Sequence, residues 1–156
     1  MTRRHEALIP LTHDHHHALH NVRLLRHAAA TDKEERFAAA RSFVAFFREH
    51  SVHHFREEEE ILFPRAIHQP HAPVDQISRV LVEHVRIHAM VDELERQVAD
   101  GAVEPASMIE LADLLKAHIR FEEDVLFPSI EKVVGSDLEG VALSASGRPA
   151  PQSGPS

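Results

Sequence analysis

The chain contains no cysteine, no tryptophan and no tyrosine, and only five glycines. Without cysteine there is no disulfide, no thiolate-held zinc and no iron–sulfur cluster. Without tyrosine or tryptophan the usual radical-relay side chains are missing as well. No apolar run approaches the roughly 20 residues of a membrane span, and the opening stretch MTRRHEALIP lacks the apolar core of a signal peptide. A soluble cytoplasmic protein is expected. Basic charge is also short, with 17 Lys and Arg against 25 Asp and Glu and a net charge of −8. Such a surface repels phosphate, so neither nucleic acid nor an anionic membrane is an expected partner.

Scarce glycine, and proline kept to a few places, leave long stretches of Ala, Leu, Glu and Arg that favour helix over sheet. A length of 156 residues suits one domain with a real core. Four helical segments are expected. The first runs from Leu11 or Thr12 to Ala30, after Pro10. The second starts at Asp32, an N-cap with Glu35 three residues on, and ends at Pro64. The third follows the Pro-rich HQPHAPVD and runs from Val74 to Ala99. The fourth begins after Glu104-Pro105 and runs to Val134, before Gly135. Short connections between long helices imply an all-α, up-down-up-down four-helix bundle over residues 1–135. The remaining 136–156, ending SASGRPAPQSGPS, is rich in Ser, Gly, Pro and Ala, and a disordered tail is expected there.

What the chain has in excess is histidine, fifteen in all, and one dense run of charge, HHFREEEEILFP over residues 53–64. A charge run alone is usually a solvated face. This one is repeated: HIRFEEDVLFP, from His118 to Pro128, matches HFREEEEILFP, from His54 to Pro64, in register. His54 corresponds to His118, Glu58 to Glu122 and Glu59 to Glu123, whereas His53 corresponds to Ala117 and drops out.

Helical periodicity then says which of these residues face inward. His15 falls in line with Leu11, Ala18, Leu19, Val22, Leu25 and Ala29, while His16 faces water with His20, Arg23 and His27. The second segment aligns Phe43, Phe47, His54, Glu58 and Leu62, leaving Glu57 and Glu60 to solvent or the rim. The third aligns Ile77, Leu81, His84, His88, Val91 and Val98, and the fourth Leu111, Leu115, His118, Glu122 and Val125. Every helix thus offers histidine to its apolar stripe near mid-length. Two buried carboxylates without counter-charge would cost several kcal/mol each, so five histidines and two glutamates at one depth point to two metal ions. The His-x-x-x-Glu spacing sets both side chains on one face, a turn apart.

The ordered set Asp14-His15, His54-x-x-x-Glu58, Glu83-His84-x-x-x-His88 and His118-x-x-x-Glu122, with LFP closing the second and fourth helices, resembles the hemerythrin family and specifically its hemerythrin-like HHE cation-binding domains. The likeness covers residues 8–132. It implies a four-helix bundle around two non-haem iron ions, oxo- or hydroxo-bridged, with His15, His54, His84, His88 and His118 as terminal ligands and Glu58 and Glu122 as bridges. Oxygen-carrying hemerythrins place an aspartate five residues after the last histidine. Here that position is Glu123, preceded by Glu122; the internal repeat favours Glu122.

Ferritin-like di-iron oxidases, by contrast, use Glu-x-x-His in carboxylate-rich sites. The order here is reversed, the spacing one longer, and histidine outnumbers carboxylate. Two functional classes follow. One is a binding protein taking up O2, nitric oxide or a related small oxidant for sensing, storage or protection. The other is an enzyme that degrades peroxide or reduces nitric oxide. Family members that repair iron–sulfur clusters carry a cysteine-bearing segment that this sequence lacks, and the blander alternative is a bundle that collects zinc.

Overall fold

The computed structural model describes residues 3–138 and Leu143. Among them there is helix and no strand. A short turn of 3₁₀ helix, Glu6–Leu8, leads into α1 (Ile9–Ala28), which carries Pro10 in its first turn, where a missing N–H costs nothing. Next comes α2 (Lys33–Phe46), capped by the Asp32 carboxylate, which accepts from the Glu35 N–H at 2.9 Å as the sequence predicts. The second rod does not stop at Pro64. It continues through α3 (Val52–Glu57) to α4 (Phe63–Ile67). After the proline-rich connection come α5 (Val74–Ala99), and then α6 (Pro105–Phe121) and α7 (Phe127–Val134), which together form the fourth rod.

Continuity past the prolines depends on wide π turns. Glu58–Leu62 and Glu122–Leu126 are π-helical, so that Phe63 N–H donates to the Glu58 carbonyl and Phe127 N–H to that of Glu122. Pro64 and Pro128 lack an N–H, and their rings would collide with the carbonyl four residues back in a regular α-helix. Opening the turn ahead of each proline relieves that collision and lets the rod run on. The LFP signature therefore marks a passage through the helix and not its end. A third π turn, Phe47–Ser51, has no counterpart in the fourth rod.

The four rods form a ring of contacts: α1 packs on α2 and α6, and α5 packs on the same two. Two apolar clusters fill its interior. One contains Val22, Phe43, Phe47, Ile87, Val91, Leu111 and Leu115. The other contains Leu11, Leu62, Phe63, Val80, Leu126, Phe127 and Ile130. Along each rod the inward histidine sits between a residue of one cluster and a residue of the other, as His84 does between Val80 and Ile87.

Two residues of the expected stripes face out instead. Leu81 and Val125 are exposed, while Val80 and Leu126 are fully buried. In α5 the inward row alternates steps of three and four, through Ile77, Val80, His84, Ile87, Val91 and Leu94. A repeated step of four drifts off that row and reaches Leu81 and His88. In the fourth rod the π turn after Glu122 adds a residue, so Leu126 takes the inward place. Most of the expected tail lies outside the described residues, but its first part is ordered into a short turn, Gly135–Leu138, with Leu138 fully buried and Leu143 packed against the same cluster. The bundle thus reaches beyond residue 135.

Replacing the cap by Asp32→Ala should destabilise the chain by about 1 kcal/mol, read as a lower denaturant midpoint with an unchanged slope.

Candidate metal centre

Six side chains from all four rods converge between the two apolar clusters. His15, His54, Glu58 and Glu122 place one donor atom each within 4.8 Å of one another, as do His84, His118 and Glu122. All six residues are buried, and Glu58, His84 and Glu122 expose nothing to solvent. Every one of the four imidazoles turns its Nε2 inward. His15 and His54 bring these atoms to 3.1 Å of each other. Neighbouring ligands at about 2.1 Å from one ion have roughly that separation. Glu58 Oε1 lies 3.0 Å from His54 Nε2 and 3.6 Å from His84 Nε2. Glu122 directs Oε2 to His15 Nε2 at 3.4 Å and Oε1 to His118 and His84. Each carboxylate therefore stands between histidines of opposite sides of the bundle.

The outer ring nitrogens face carboxylates in turn. His15 Nδ1 is 2.6 Å from Glu123, His54 Nδ1 2.9 Å from Asp14, His84 Nδ1 3.3 Å from Glu59, and His118 Nδ1 3.5 Å from Glu83. A carboxylate on Nδ1 fixes the tautomer with its lone pair on Nε2 and raises the basicity of the ring, which is how metal-bound histidines are oriented. The partners cross over between rods. Asp14, just before an inward histidine, holds the histidine of the second rod, and Glu83, placed likewise, stands 3.5 Å from that of the fourth without closing a hydrogen bond; Glu59 and Glu123, each just after an inward glutamate, hold those of α5 and α1. Phenylalanines fix the ring planes, with Phe55 stacked on His84 at 3.8 Å and Phe127 on His15 at 5.5 Å.

Whether a cation fits is answered by the polar atoms left over. Both oxygens of Glu58, both of Glu122, and the Nε2 atoms of His84 and His118 are buried without a hydrogen-bond partner. Unpaired polar atoms at such density are costly, and the four carboxylate oxygens among them are acceptors converging on common points. Cations satisfy them; water, which also needs acceptors for its own protons, serves them less well. Without a cation the cluster compensates through protons. Burial, and then repulsion from Glu122, pushes Glu58 well above the usual carboxylate range. Burial lowers the affinity of His118 for its proton, but Glu122 and Glu83 more than offset this, and its pKa is pushed up to about 10. Burial likewise works against Glu122 ionising, yet the adjacent His118 holds it well below its ordinary value.

The remaining expectations divide. His88 stands in neither group of donors; it is partly exposed and meets Phe47 and Phe55 edge-on at 5.4 and 5.6 Å. Its place one step of four beyond His84 leaves it flanking the inward row. Glu122 and not Glu123 occupies the centre, since Glu123 lies outside, bound by His15, Thr12 and Arg4. His16 and Glu60 are exposed, as expected. Glu57 is not: it is buried and paired with His53 at 2.8 Å. What sequence reasoning missed is the orienting role of Asp14, Glu59, Glu83 and Glu123, although the correspondence of Glu59 with Glu123 in the repeat was a signal for two of them.

Comparison with family models matches residues 8–130 to the hemerythrin HHE cation binding domain. No curated protein and no solved structure matches the chain.

Two outcomes test this geometry. Glu123→Gln and Asp14→Asn should each fold normally but weaken metal binding by about 10- to 100-fold, measured by chelator competition. The metal-free chain should lose stability as the pH rises. The raised His118 pKa contributes stability that is fully present below the unfolded value of 6.5 and is lost through about 10. Its melting temperature should therefore fall between those limits, and bound metal, which requires neutral imidazole, should remove the slope.

Proposed function

The chain belongs to the hemerythrin HHE cation-binding domain family, and from that premise we propose that it holds two iron ions and uses them to take up O2, nitric oxide or a related small oxidant for sensing, storage or protection. The observation that carries this reading is the donor balance at the centre: four inward imidazoles against two carboxylates, with four orphaned carboxylate oxygens between them. Ferrous iron suits such a mixed set, and neutral imidazoles leave less negative charge than a carboxylate-rich site to support high-valent oxidation. His15 and His54 would hold one ion and His84 and His118 the other, with Glu58 and Glu122 shared. Iron, when bound, supplies a redox-active cation with coordination positions the protein leaves open.

The residues around it do the rest. With metal bound, Asp14, Glu59, Glu83 and Glu123 would take the remaining ring proton on the Nδ1 side and keep each Nε2 aimed inward. The apolar clusters above and below keep bulk water from the glutamates. With His88 outside both donor groups, two imidazoles would hold each ion, and the protein donors are near-symmetric about the two glutamates.

An up-down-up-down topology belongs to the same reading. It is supported by contacts that rise along one rod as they fall along the next: Arg4 with Glu131, His15 with Glu123 and Arg26 with Asp113; likewise Arg48 with Asp92 and His84 with Glu59. The cytoplasmic location is carried forward from the sequence alone.

Elemental analysis of untagged protein should find about two irons per chain, and zinc alone would sink the proposal. His15→Ala should lower the iron-to-protein ratio while His16→Ala leaves it intact. Anaerobic reduction followed by exposure to O2 then separates the roles: an absorption band that reverses under vacuum fits a carrier or sensor, and rapid oxidation with peroxide turnover fits an enzyme.

A further inference from the structure

Aligning Asp14-His15 with Glu83-His84 also aligns Leu8 with Ile77, Leu11 with Val80, Val22 with Val91 and Leu25 with Leu94, all of them buried. The helices that carry no LFP motif are thus related to each other just as the two LFP rods are. Two positions near the centre break the relation. Arg4 corresponds to Pro73, and Thr12 to Leu81.

Both unmatched donors point to Glu123. Its Oε1 accepts from the Thr12 hydroxyl at 2.9 Å and lies 2.6 Å from His15 Nδ1, while Oε2 accepts from Arg4 Nη2 at 2.9 Å. The same Nη2 donates to the Glu123 carbonyl at 2.7 Å. That carbonyl needs a donor from outside its own helix, because the Phe127 N–H goes to Glu122 and Pro128 has no N–H. Arg4 Nη1 reaches Glu131 at 3.2 Å, where the His5 N–H also donates at 3.0 Å, and the guanidinium lies 5.5 Å from the centroid of the Phe127 ring that stacks on His15. The segment ahead of α1 is thereby pinned to the fourth rod, and the carboxylate facing His15 is fixed at both oxygens. With Arg4 and Glu123 only 20% and 21% exposed, the pair is shielded as a surface ion pair is not.

Glu59, the matching carboxylate, lacks this support. Pro73 and Leu81 offer it no side-chain donor, it is 35% exposed, and it stands 3.3 Å from His84 Nδ1. Arg79 is 3.6 Å from Glu83 but more than half exposed, and Glu83 leaves His118 Nδ1 without a hydrogen bond. The outer nitrogens of His15 and His54 are therefore 2.6 and 2.9 Å from their carboxylates, against 3.3 and 3.5 Å for His84 and His118.

We propose that Arg4 and Thr12 are positioning residues that clamp Glu123 onto His15, and that this clamp makes the metal position of His15 and His54 the retentive one, while that of His84 and His118 empties first. An imidazole lets go of an ion by turning away from it. A ring held at its outer nitrogen by a carboxylate that cannot itself turn returns to the ion before it escapes. The clamp stands on the hydrogen bonds alone, whereas the order of release rests on the two-ion reading.

Two measurements on the full chain test it. In the metal-free protein, nitrogen-15 NMR should show a His15 Nδ1–H protected from solvent exchange, and Arg4→Gln should remove that protection. In the iron(II)-loaded protein, release to an excess of a ferrous chelator without oxygen should run in two phases of about one ion each. Arg4→Gln should speed the slow phase by about tenfold and leave the fast phase unchanged, with Arg4→Lys in between; Thr12→Val is the second variant should Arg4→Gln fold poorly. Release in a single phase from the unaltered chain, or equal acceleration of both phases in the variants, overturns the retentive position. A His15 ring proton that stays protected in both folded variants overturns the clamp. A chain that takes up no iron, yet loses the protected proton on Arg4→Gln, sinks the two-ion reading and supports the clamp.

Discussion

Everything in this molecule is arranged around two carboxylates placed where water cannot reach them. Glu58 and Glu122 expose no surface, sit between two apolar clusters, and face each other at the level of four imidazoles. Isolated carboxylates in such a place would cost several kcal/mol each, so the interior is held together by whatever positive charge lies between them. In the metal-free chain that charge is protons, shared out among His118, His15 and Glu58. Cations would replace the protons and satisfy the orphaned oxygens, so metal uptake and proton release are two sides of one exchange.

The demands of that exchange explain the local irregularities of the rods. A straight α-helix with its regular step does not both present His54 and Glu58 inward and carry a proline six residues after the glutamate. The π turns at Glu58–Leu62 and Glu122–Leu126 reconcile the two. They also shift the inward row by one residue, which is why Leu126 and not Val125 enters the core. π turns of this kind recur at functional sites in helices because they re-aim side chains without ending the rod.

Much of this was legible in the chain itself. The repeat identified the paired His-x-x-x-Glu motifs, and periodicity placed His15 inward and His16 outward correctly. It failed where a uniform step was assumed. His88 and Leu81 were read inward because a step of four from His84 and Ile77 reaches them, whereas a straight helix facing two neighbours alternates threes and fours. Glu57 was assigned to solvent or the rim although His53, its ion-pair partner, stands one helical turn before it at a spacing of four. The crossed partnerships of Asp14 with His54 and Glu83 with His118 join different rods, and no spacing along one helix announces them.

The six central donors meet at one level of the bundle but come from all four rods, and that has a bearing on synthesis. A growing chain that has emerged as far as Glu104 carries His15, His54 and His84 but only one of the two central glutamates. A domain generally folds as a unit, and here the unit is incomplete until the fourth rod is present. Only the last rod brings His118 and Glu122, together with the Glu123 that steadies His15. The full donor set therefore exists only in a chain that includes the fourth rod.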